Sequence, residues 1–167
     1  MITKKTPLKK IIELGGECKK CGNCCKFGSG YLINDDISKI AKFLGVSEEE
    51  LKEKYLEKVH MYGQEIFRPN QKKKGKQYGE CIFLKDKKCS IHKVKPLNCK
   101  IGSCSKYGEE ISVWFALNYF IDKGNPQSIR DWKVILDSGG KNIPGGELKE
   151  LVPDKKELKK ILEYGVL

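Results

Sequence analysis

The sequence predicts an α+β fold that is mostly helical, a small single domain with irregular cysteine-rich loops and a short hairpin. Three observations support this. Apolar residues recur at helical spacing in several segments, a middle segment has strand-like composition around a polar turn, and the eight cysteines lie mainly between these segments. A chain of 167 residues with 39% apolar residues can bury one core without disulfides. We expect one domain over residues 1–167, with a cysteine module at about 18–104 and a helical part at about 109–167.

Three helices are predicted in the first third of the chain. The pair Thr6-Pro7 is typical of a helix start, since proline is well tolerated at the first helical position. Gly45 is suited to ending the second helix. Ser47 with Glu50 forms a capping box at the start of the third. The three helices are expected to span residues 8–15, 35–44 and 47–59.

The middle of the chain, residues 60–84, is predicted to form two short strands around the polar run 71–77. The second strand would bring Cys81 directly to the other cysteines. Helical periodicity returns in the last third, where Asp154 followed by Glu157 marks the start of the final helix. These helices are expected at residues 111–121, 128–136 and 154–162.

Seven of the eight cysteines fall in two bunches, and the first bunch reads CxxCxxCC. Two intervening residues let consecutive thiolates turn around one metal. In a reducing compartment, clustered thiols more often bind metal than form disulfides. The sequence therefore predicts that the cysteine-rich loops bind metal. The candidate ligands are Cys18, Cys21, Cys24, Cys25, Cys81, Cys89 and Cys99, with Cys104 as an additional, less supported candidate.

The adjacent cysteines Cys24 and Cys25 bear on the number of centres. Neighbouring side chains diverge by about 100° in a helix, so we expect these two to serve different centres. In one arrangement, most of the first bunch holds one centre while Cys25 reaches a centre built largely by the second bunch. The alternative is a single centre with spare thiols. If Cys104 does not bind, seven ligands leave one coordination position open.

The formal charge of +11 raises the question of a nucleic-acid partner. Arg68 and Arg130 are the only arginines among 33 basic residues, although arginine is the preferred residue for bidentate phosphate and base contacts. Two four-thiolate metal sites would also lower the charge by about 4. Nucleic acid is therefore a possible partner but not the favoured one.

Neither a leader nor a membrane segment is predicted. The first 14 residues are basic and lack the long apolar stretch of a signal peptide. No window approaches the roughly 18 consecutive apolar residues of a membrane span. We therefore expect a cytoplasmic protein without a membrane partner.

The chain resembles the CxxCxxCC cysteine-cluster family over roughly residues 18–104. That family is described as a zinc- or iron-chelating domain, and a related cluster occurs in flagellin lysine N-methylases. The resemblance implies a metal site at the seven matched cysteines and leaves the reaction undefined. The chain departs from the family at His92, where tyrosine is usual, and at Lys95 and Lys100, where arginine is usual. The matching runs are Cys18-Lys-Lys-Cys21-Gly-Asn-Cys24-Cys25, Cys81-Ile-Phe-Leu, Cys89-Ser-Ile-His92 and Lys95-Pro96-Leu97-Asn98-Cys99-Lys100.

The spacing of the first bunch of cysteines favours one type of metal centre over another. The triad Cys18, Cys21 and Cys24 with a fourth ligand from a distant segment is typical of iron–sulfur sites. A [4Fe–4S] cluster is the favoured cofactor and Zn²⁺ is the alternative, since zinc prefers a closed shell of four ligands. His92 is expected to lie beside the ligands rather than among them.

Three functions are compatible with these features. The favoured one is an iron–sulfur protein for electron or sulfur transfer, or one that supports a modification enzyme, working with a protein or redox partner. The second is a structural zinc-binding adaptor module. The third is a basic nucleic-acid-binding protein with structural metal. No hydrolase or nucleotide-binding motif is present, so the sequence leaves open whether the protein is an enzyme.

Overall fold

Helices dominate the computed structural model, which describes residues 1–16, 18–102 and 104–165. They account for 45% of the residues and occur with small two-stranded antiparallel sheets, so the predicted mostly helical α+β class is confirmed. The helices are α1 (Leu8–Gly15), α2 (Asn23–Lys26), α3 (Asn34–Leu44), α4 (Glu48–Lys54), α5 (Leu97–Lys100), α6 (Gly108–Tyr119), α7 (Pro126–Asp137), α8 (Leu148–Leu151) and α9 (Lys155–Leu162), with a 3₁₀ helix at His92–Val94. The paired strands are β1 (Leu56–Met61) with β2 (Gln64–Pro69), β3 (Gln71–Lys72) with β4 (Glu80–Cys81), and β5 (Leu84–Lys85) with β6 (Lys88–Cys89).

The chain divides into two compact units, each built from segments that are distant in the sequence. The predicted boundaries of the cysteine module and of the C-terminal helical part stay predictions. The first unit, here called the cysteine unit, comprises Gly15–Val59 and Ile66–Ser105. The second, here called the helical unit, comprises Met1–Leu14, His60–Glu65 and Lys106–Leu167.

The third predicted helix, over residues 47–59, is too long. Its start is as expected, because the Ser47 hydroxyl accepts the N–H of Glu50. The helix ends at Lys54, and the following residues form β1. The turn between β1 and β2 contains Tyr62 and Gly63, both at positive φ, which is the geometry of a tight hairpin turn. Pairing with β2 therefore overrides the helical spacing of the apolar residues after Lys54.

The predicted strand at Cys81 is present as β4. The prediction was wrong about the segments next to this strand. Its partner β3 lies inside the run 71–77 that was predicted to be a turn, with Gln71 opposite Cys81. A methyl group on Gly79 would lie 2.2 Å from the Lys72 carbonyl oxygen, so only glycine permits this close return of the chain. The hairpin β5–β6 was not predicted, and it places Cys89 opposite Leu84.

The core of the cysteine unit includes part of the cysteine cluster. Helices α3 and α4 contribute buried aliphatic residues, and the cysteine-bearing segments close over them. Cys81 is itself a core residue, and Cys25 and Cys89 pack against the core. The buried members of this core are Leu32, Ile37, Ile40, Ala41, Leu51, Leu56, Cys81, Phe83 and Ile91.

In the helical unit, two tryptophans combine burial with a satisfied indole N–H. Trp132 on α7 donates to the Gly146 carbonyl at 2.7 Å, and Trp114 on α6 donates to the Thr6 carbonyl at 2.9 Å. The longest helices, α6 and α7, have 12 residues each. Within residues 1–16, 18–102 and 104–165, no helix has the length and apolar character needed to cross a bilayer.

Asp36 connects α3 to α5 within the cysteine unit. One carboxylate oxygen accepts the Ile33 N–H at 3.1 Å, which caps α3, and the other accepts the Leu97 N–H at 3.0 Å. Burial raises the pKa of the Asp36 carboxyl, and the two N–H donors act against this rise. The side chain thus satisfies backbone donors at the starts of two helices 61 residues apart.

We predict that Asp36→Ala lowers the free energy of unfolding by about 1–3 kcal/mol, because it leaves backbone N–H groups of two helices without their acceptors. The control is Asp35→Ala, which alters an exposed carboxylate in the same helical turn and should cost less than about 1 kcal/mol. Urea unfolding monitored by circular dichroism measures both. Equal midpoints for the two variants would contradict the connecting role of Asp36.

Candidate metal centre

The eight cysteines all lie within the described residues and all are free thiols. Cys18 and Cys21 precede α2, Cys24 and Cys25 lie on it, and Cys99 lies on α5. Cys81 and Cys89 end β4 and β6. The eight cysteines differ in solvent exposure. Cys81 is buried, Cys21, Cys24 and Cys104 are exposed, and the others are intermediate.

Helix α2 is placed against the β5–β6 hairpin by Gly22. This residue caps α2 at a φ of 71°, and a methyl group on it would lie 2.8 Å from the Lys87 carbonyl oxygen. Glycine is therefore required there for both conformation and space. The consequence is that Cys24 and Cys25 lie close to the segments that carry the second bunch of cysteines.

The sulfurs of Cys24 and Cys25 are 3.9 Å apart. A hydrogen bond between them lowers the pKa of Cys24 and raises that of Cys25. Two thiolates on one tetrahedral metal with bonds of about 2.3 Å are separated by about 3.8 Å. The expected divergence of adjacent side chains thus does not place these two sulfurs beyond the reach of a single ion. Their assignment to different centres stays a prediction.

Backbone N–H groups point at the sulfurs of the second bunch. Cys81 accepts from Phe83 and Leu84, and Cys89 accepts from Ile91. Burial nevertheless raises the pKa of Cys81 to about 11 and also raises that of Cys89. Tight turns that aim N–H groups at a sulfur stabilise a ligating thiolate, as metal ligands require.

Cys99 is held by a close approach of Gly30. The Gly30 N–H donates to the Cys99 sulfur, and a methyl group on Gly30 would lie 2.3 Å from that sulfur. Burial raises the pKa of Cys99 to about 12. The side-chain Oδ1 of the neighbouring Asn98 accepts the Tyr31 N–H at 3.1 Å, which fixes α5 against the same loop.

Pairwise electrostatic interactions link six of the predicted ligands. Cys24 interacts with Cys81, Cys89 and Cys99. Cys25 interacts with Cys24, Cys81 and Cys89, and Cys18 interacts with Cys89. Among residues 1–16, 18–102 and 104–165, no three His, Cys, Asp or Glu side chains are already arranged as a metal-ion site. The ligand set as a whole therefore stays a prediction.

His92 lies three residues after Cys89, on the 3₁₀ helix His92–Val94. Its Nε2 atom is buried and has no hydrogen-bond partner in the part of the chain that the structure describes. Burial, with Lys95 and Lys20 nearby, lowers the pKa of His92 and favours the neutral imidazole. A neutral ring has a lone pair for a metal or a proton for a sulfur. Free thiols in one unit and an imidazole nitrogen without a partner are donor groups that suit zinc or iron.

Sequence reasoning did not identify Gly30 or Asp36 as supports of the site, and it noted Lys95 only as a departure from the family. Lys95 is buried at 7% exposure and interacts with Cys24, Cys89 and Cys99. A lysine directly before a proline carries no local sign of burial. The one available signal was its position between Cys89 and Cys99.

We predict that Gly30→Ala weakens metal retention and lowers the free energy of unfolding by about 1–3 kcal/mol, because the added methyl group displaces the Cys99 sulfur. Gly28→Ala is the matched control, since its methyl group would have no neighbour closer than 3.9 Å. Elemental analysis of anaerobically purified protein measures bound metal per chain. Full retention in Gly30→Ala would show that the Cys99 sulfur is not needed where the structure places it.

A known family resembles the region of the chain that contains the cysteines. A protein of Methanocaldococcus jannaschii described as uncharacterized is 34% identical over 125 residues, covering 68% of this chain. The chain spans 63% of the length of that relative. No solved structure matches the chain significantly. The sequence profile of the CxxCxxCC family, described as a "putative zinc- or iron-chelating domain", matches residues 17–118, so the chain belongs to the CxxCxxCC family.

Proposed function

We propose that the chain carries an iron–sulfur centre, with [4Fe–4S] as the favoured form, for electron or sulfur transfer or in support of a modification enzyme. The observation that supports this proposal is that Cys24 of the first bunch interacts electrostatically with Cys81, Cys89 and Cys99 of the second. A closely spaced cysteine triad with a further ligand from a distant segment is typical of iron–sulfur sites. One [4Fe–4S] cluster or one zinc ion takes four cysteine ligands, so further sulfurs would serve a second centre or stay free. The proposed ligands are Cys18, Cys21, Cys24, Cys25, Cys81, Cys89 and Cys99.

The difference in solvent exposure among the cysteine side chains supports a redox role. Cys21 and Cys24 are exposed, whereas Cys81 is buried in the core. A centre bound by both kinds of sulfur would have one edge accessible to a partner and the other enclosed by protein. Electron or sulfur exchange requires such access, and a protein redox partner is therefore part of the proposal. The free thiols fit a reducing compartment such as the cytoplasm.

A structural zinc site is the second candidate, and one distance favours it. The separation of 3.9 Å between the Cys24 and Cys25 sulfurs matches the edge of a zinc–thiolate tetrahedron, about 3.8 Å. In that case the metal would stabilise the fold of an adaptor module without redox chemistry.

Nucleic-acid binding receives less support from the lysine-rich loop. Lys72 pairs with Glu80 at 3.2 Å, and Lys73 pairs with Glu57 at 2.8 Å. Lysines that are already paired with carboxylates contribute less to phosphate binding. We therefore favour a protein partner over nucleic acid.

The deciding experiment is anaerobic purification with iron, zinc and acid-labile sulfide analysis, together with visible and electron paramagnetic resonance spectra. The proposal predicts a brown protein with iron and sulfide in similar amounts. A colourless protein with stoichiometric zinc and no sulfide would instead establish the second candidate. A folded protein with neither metal would refute both.

We also predict that Cys99→Ser loses most of the bound metal, because it removes a sulfur that interacts with Cys24 and Cys81. Cys104→Ser is the matched control and should retain the metal content of the unmodified chain, since Cys104 lies outside the seven cysteines that match the family pattern. The same elemental analysis measures both variants. Metal loss in Cys104→Ser would make Cys104 a ligand and fill the eighth position.

A further inference from the structure

Two exposed aromatic side chains lie on neighbouring segments of the cysteine unit. Phe27 is 69% exposed and Tyr78 is 57% exposed, and they are the most exposed aromatic residues that the structure describes in this unit. A single exposed apolar residue is common on protein surfaces, whereas two aromatic rings on one surface are typical of an interaction site. Whether the two rings share a surface therefore decides their meaning.

The side chain of Gln71 joins the two segments. Its Nε2 donates to the Ser29 hydroxyl at 3.1 Å, and its Oε1 accepts the Gly79 N–H at 3.0 Å. Ser29 lies two residues after Phe27, and Gly79 directly follows Tyr78. Standard bond lengths and Cα spacings then place the Cα atoms of the two aromatic residues no more than roughly 20 Å apart. Helix α2, which ends just before Phe27, also packs against β4. The two rings therefore belong to one region of the surface.

Exposed lysines accompany the two rings. Lys26 ends α2, and Lys74 and Lys76 lie in the loop of the β3–β4 hairpin. Among residues 1–16, 18–102 and 104–165, no carboxylate forms an ion pair with these three, whereas two other lysines of the same hairpin are each paired with a glutamate. Unpaired ammonium groups beside apolar rings favour an occupant with both acidic and apolar groups. We call this region, made of Phe27, Tyr78, Lys26, Lys74 and Lys76, the aromatic–lysine surface.

Composition and size favour a protein as the occupant. The segments 18–31 and 71–81, which carry this surface, contain no arginine, the preferred residue for bidentate phosphate and base contacts. Transient protein complexes bury less than about 1,200 Å² in total, so each partner contributes a patch roughly 28 Å across. Two rings on one region of this extent fit within such a patch.

We infer that the aromatic–lysine surface is the docking site of an acidic protein partner of the candidate metal centre. Its relation to the centre rests on the proposed function: Cys24 is exposed and lies on α2, three residues before Phe27. A partner bound to the two rings lies beside the accessible edge of the centre. Apolar contact with the rings supplies affinity, and the lysines attract the acidic groups of the partner.

The test is the fluorescence anisotropy of a labelled copolymer of glutamate and tyrosine, mixed with the anaerobically purified protein. This polymer offers the carboxylates and the aromatic rings that the surface should bind. We expect Phe27→Ser and Tyr78→Ser each to weaken its binding by about 5–10-fold. Phe43→Ser is the matched control, because it changes an exposed aromatic residue on α3, and it should stay within about twofold.

The lysines are tested by pairs of substitutions that remove equal charge from different places. Lys74→Gln combined with Lys76→Gln should weaken binding by about 3–5-fold and reduce its dependence on salt, because exposed charges are screened. Lys155→Gln combined with Lys156→Gln removes the same charge from exposed positions on α9 in the helical unit. This second pair should stay within about twofold of the unmodified chain.

Equal losses from the two lysine pairs would show that the polymer responds to net charge alone, and this would overturn the inference. Unchanged affinity in the serine variants at Phe27 and Tyr78, or no binding of the copolymer by the unmodified chain, would do the same. If Phe27→Ser does not fold, Tyr78→Ser decides. Labelled oligothymidylate is the second probe. If it binds more tightly than the copolymer and Tyr78→Ser abolishes that binding, the surface binds single-stranded nucleic acid instead.

Metal analysis of the same preparations separates this inference from the proposed function. A colourless zinc protein that still binds the copolymer through Tyr78 would refute the iron–sulfur proposal and support the docking site. A brown iron–sulfur protein whose copolymer binding ignores Tyr78 would refute the docking site alone.

Discussion

The convergence of thiols from four separate segments is the constraint on which the cysteine unit depends. Sulfurs that ligate a metal are negatively charged, and burying several of them together is costly unless donors and cations surround them. The chain meets this need with backbone N–H groups aimed at Cys81, Cys89 and Cys99. Lys95 adds a cation inside the unit. The turns that follow Cys81 and Cys89 therefore support the candidate centre as directly as the sulfurs do.

Helix α5 shows how the fold supports one ligand. This four-residue helix is too short to be stable alone. It is held by three contacts to the segment between α2 and the first turn of α3, through the Gly30 N–H, the Tyr31 N–H and the Asp36 carboxylate. The position of Cys99 is thus determined largely by residues about 60–70 positions earlier in the chain.

Local patterns explain what the sequence predicted well. The helices α1, α3, α6, α7 and α9 were predicted within a few residues of their bounds. Four of them have an apolar face, α6 is apolar nearly all round, and most begin or end at a capping residue. Leu56 and Val59 also fit a helical face, but pairing with β2 draws them into a strand. Pairing across a hairpin turn is not visible in the helical spacing of apolar residues.

In the candidate site, too, some features have a local sequence signal and others depend on how distant segments pack. The CxxCxxCC spacing is local, and it identified the first bunch of cysteines directly. The close approach of Gly30 to Cys99 and the burial of Lys95 arise only when distant segments pack together. A glycine in a Gly-Ser-Gly loop and a lysine before a proline look ordinary until their neighbours are known.

The sharing of Cys81 between the hydrophobic core and the candidate centre has a consequence for oxygen tolerance. Oxidation of a thiol to sulfinic acid is largely irreversible and adds a charged, bulkier group. On an exposed cysteine such as Cys21, the damage would stay at the surface. On Cys81 it would place that group among aliphatic side chains, so a single oxidative event would damage folding and metal chemistry together.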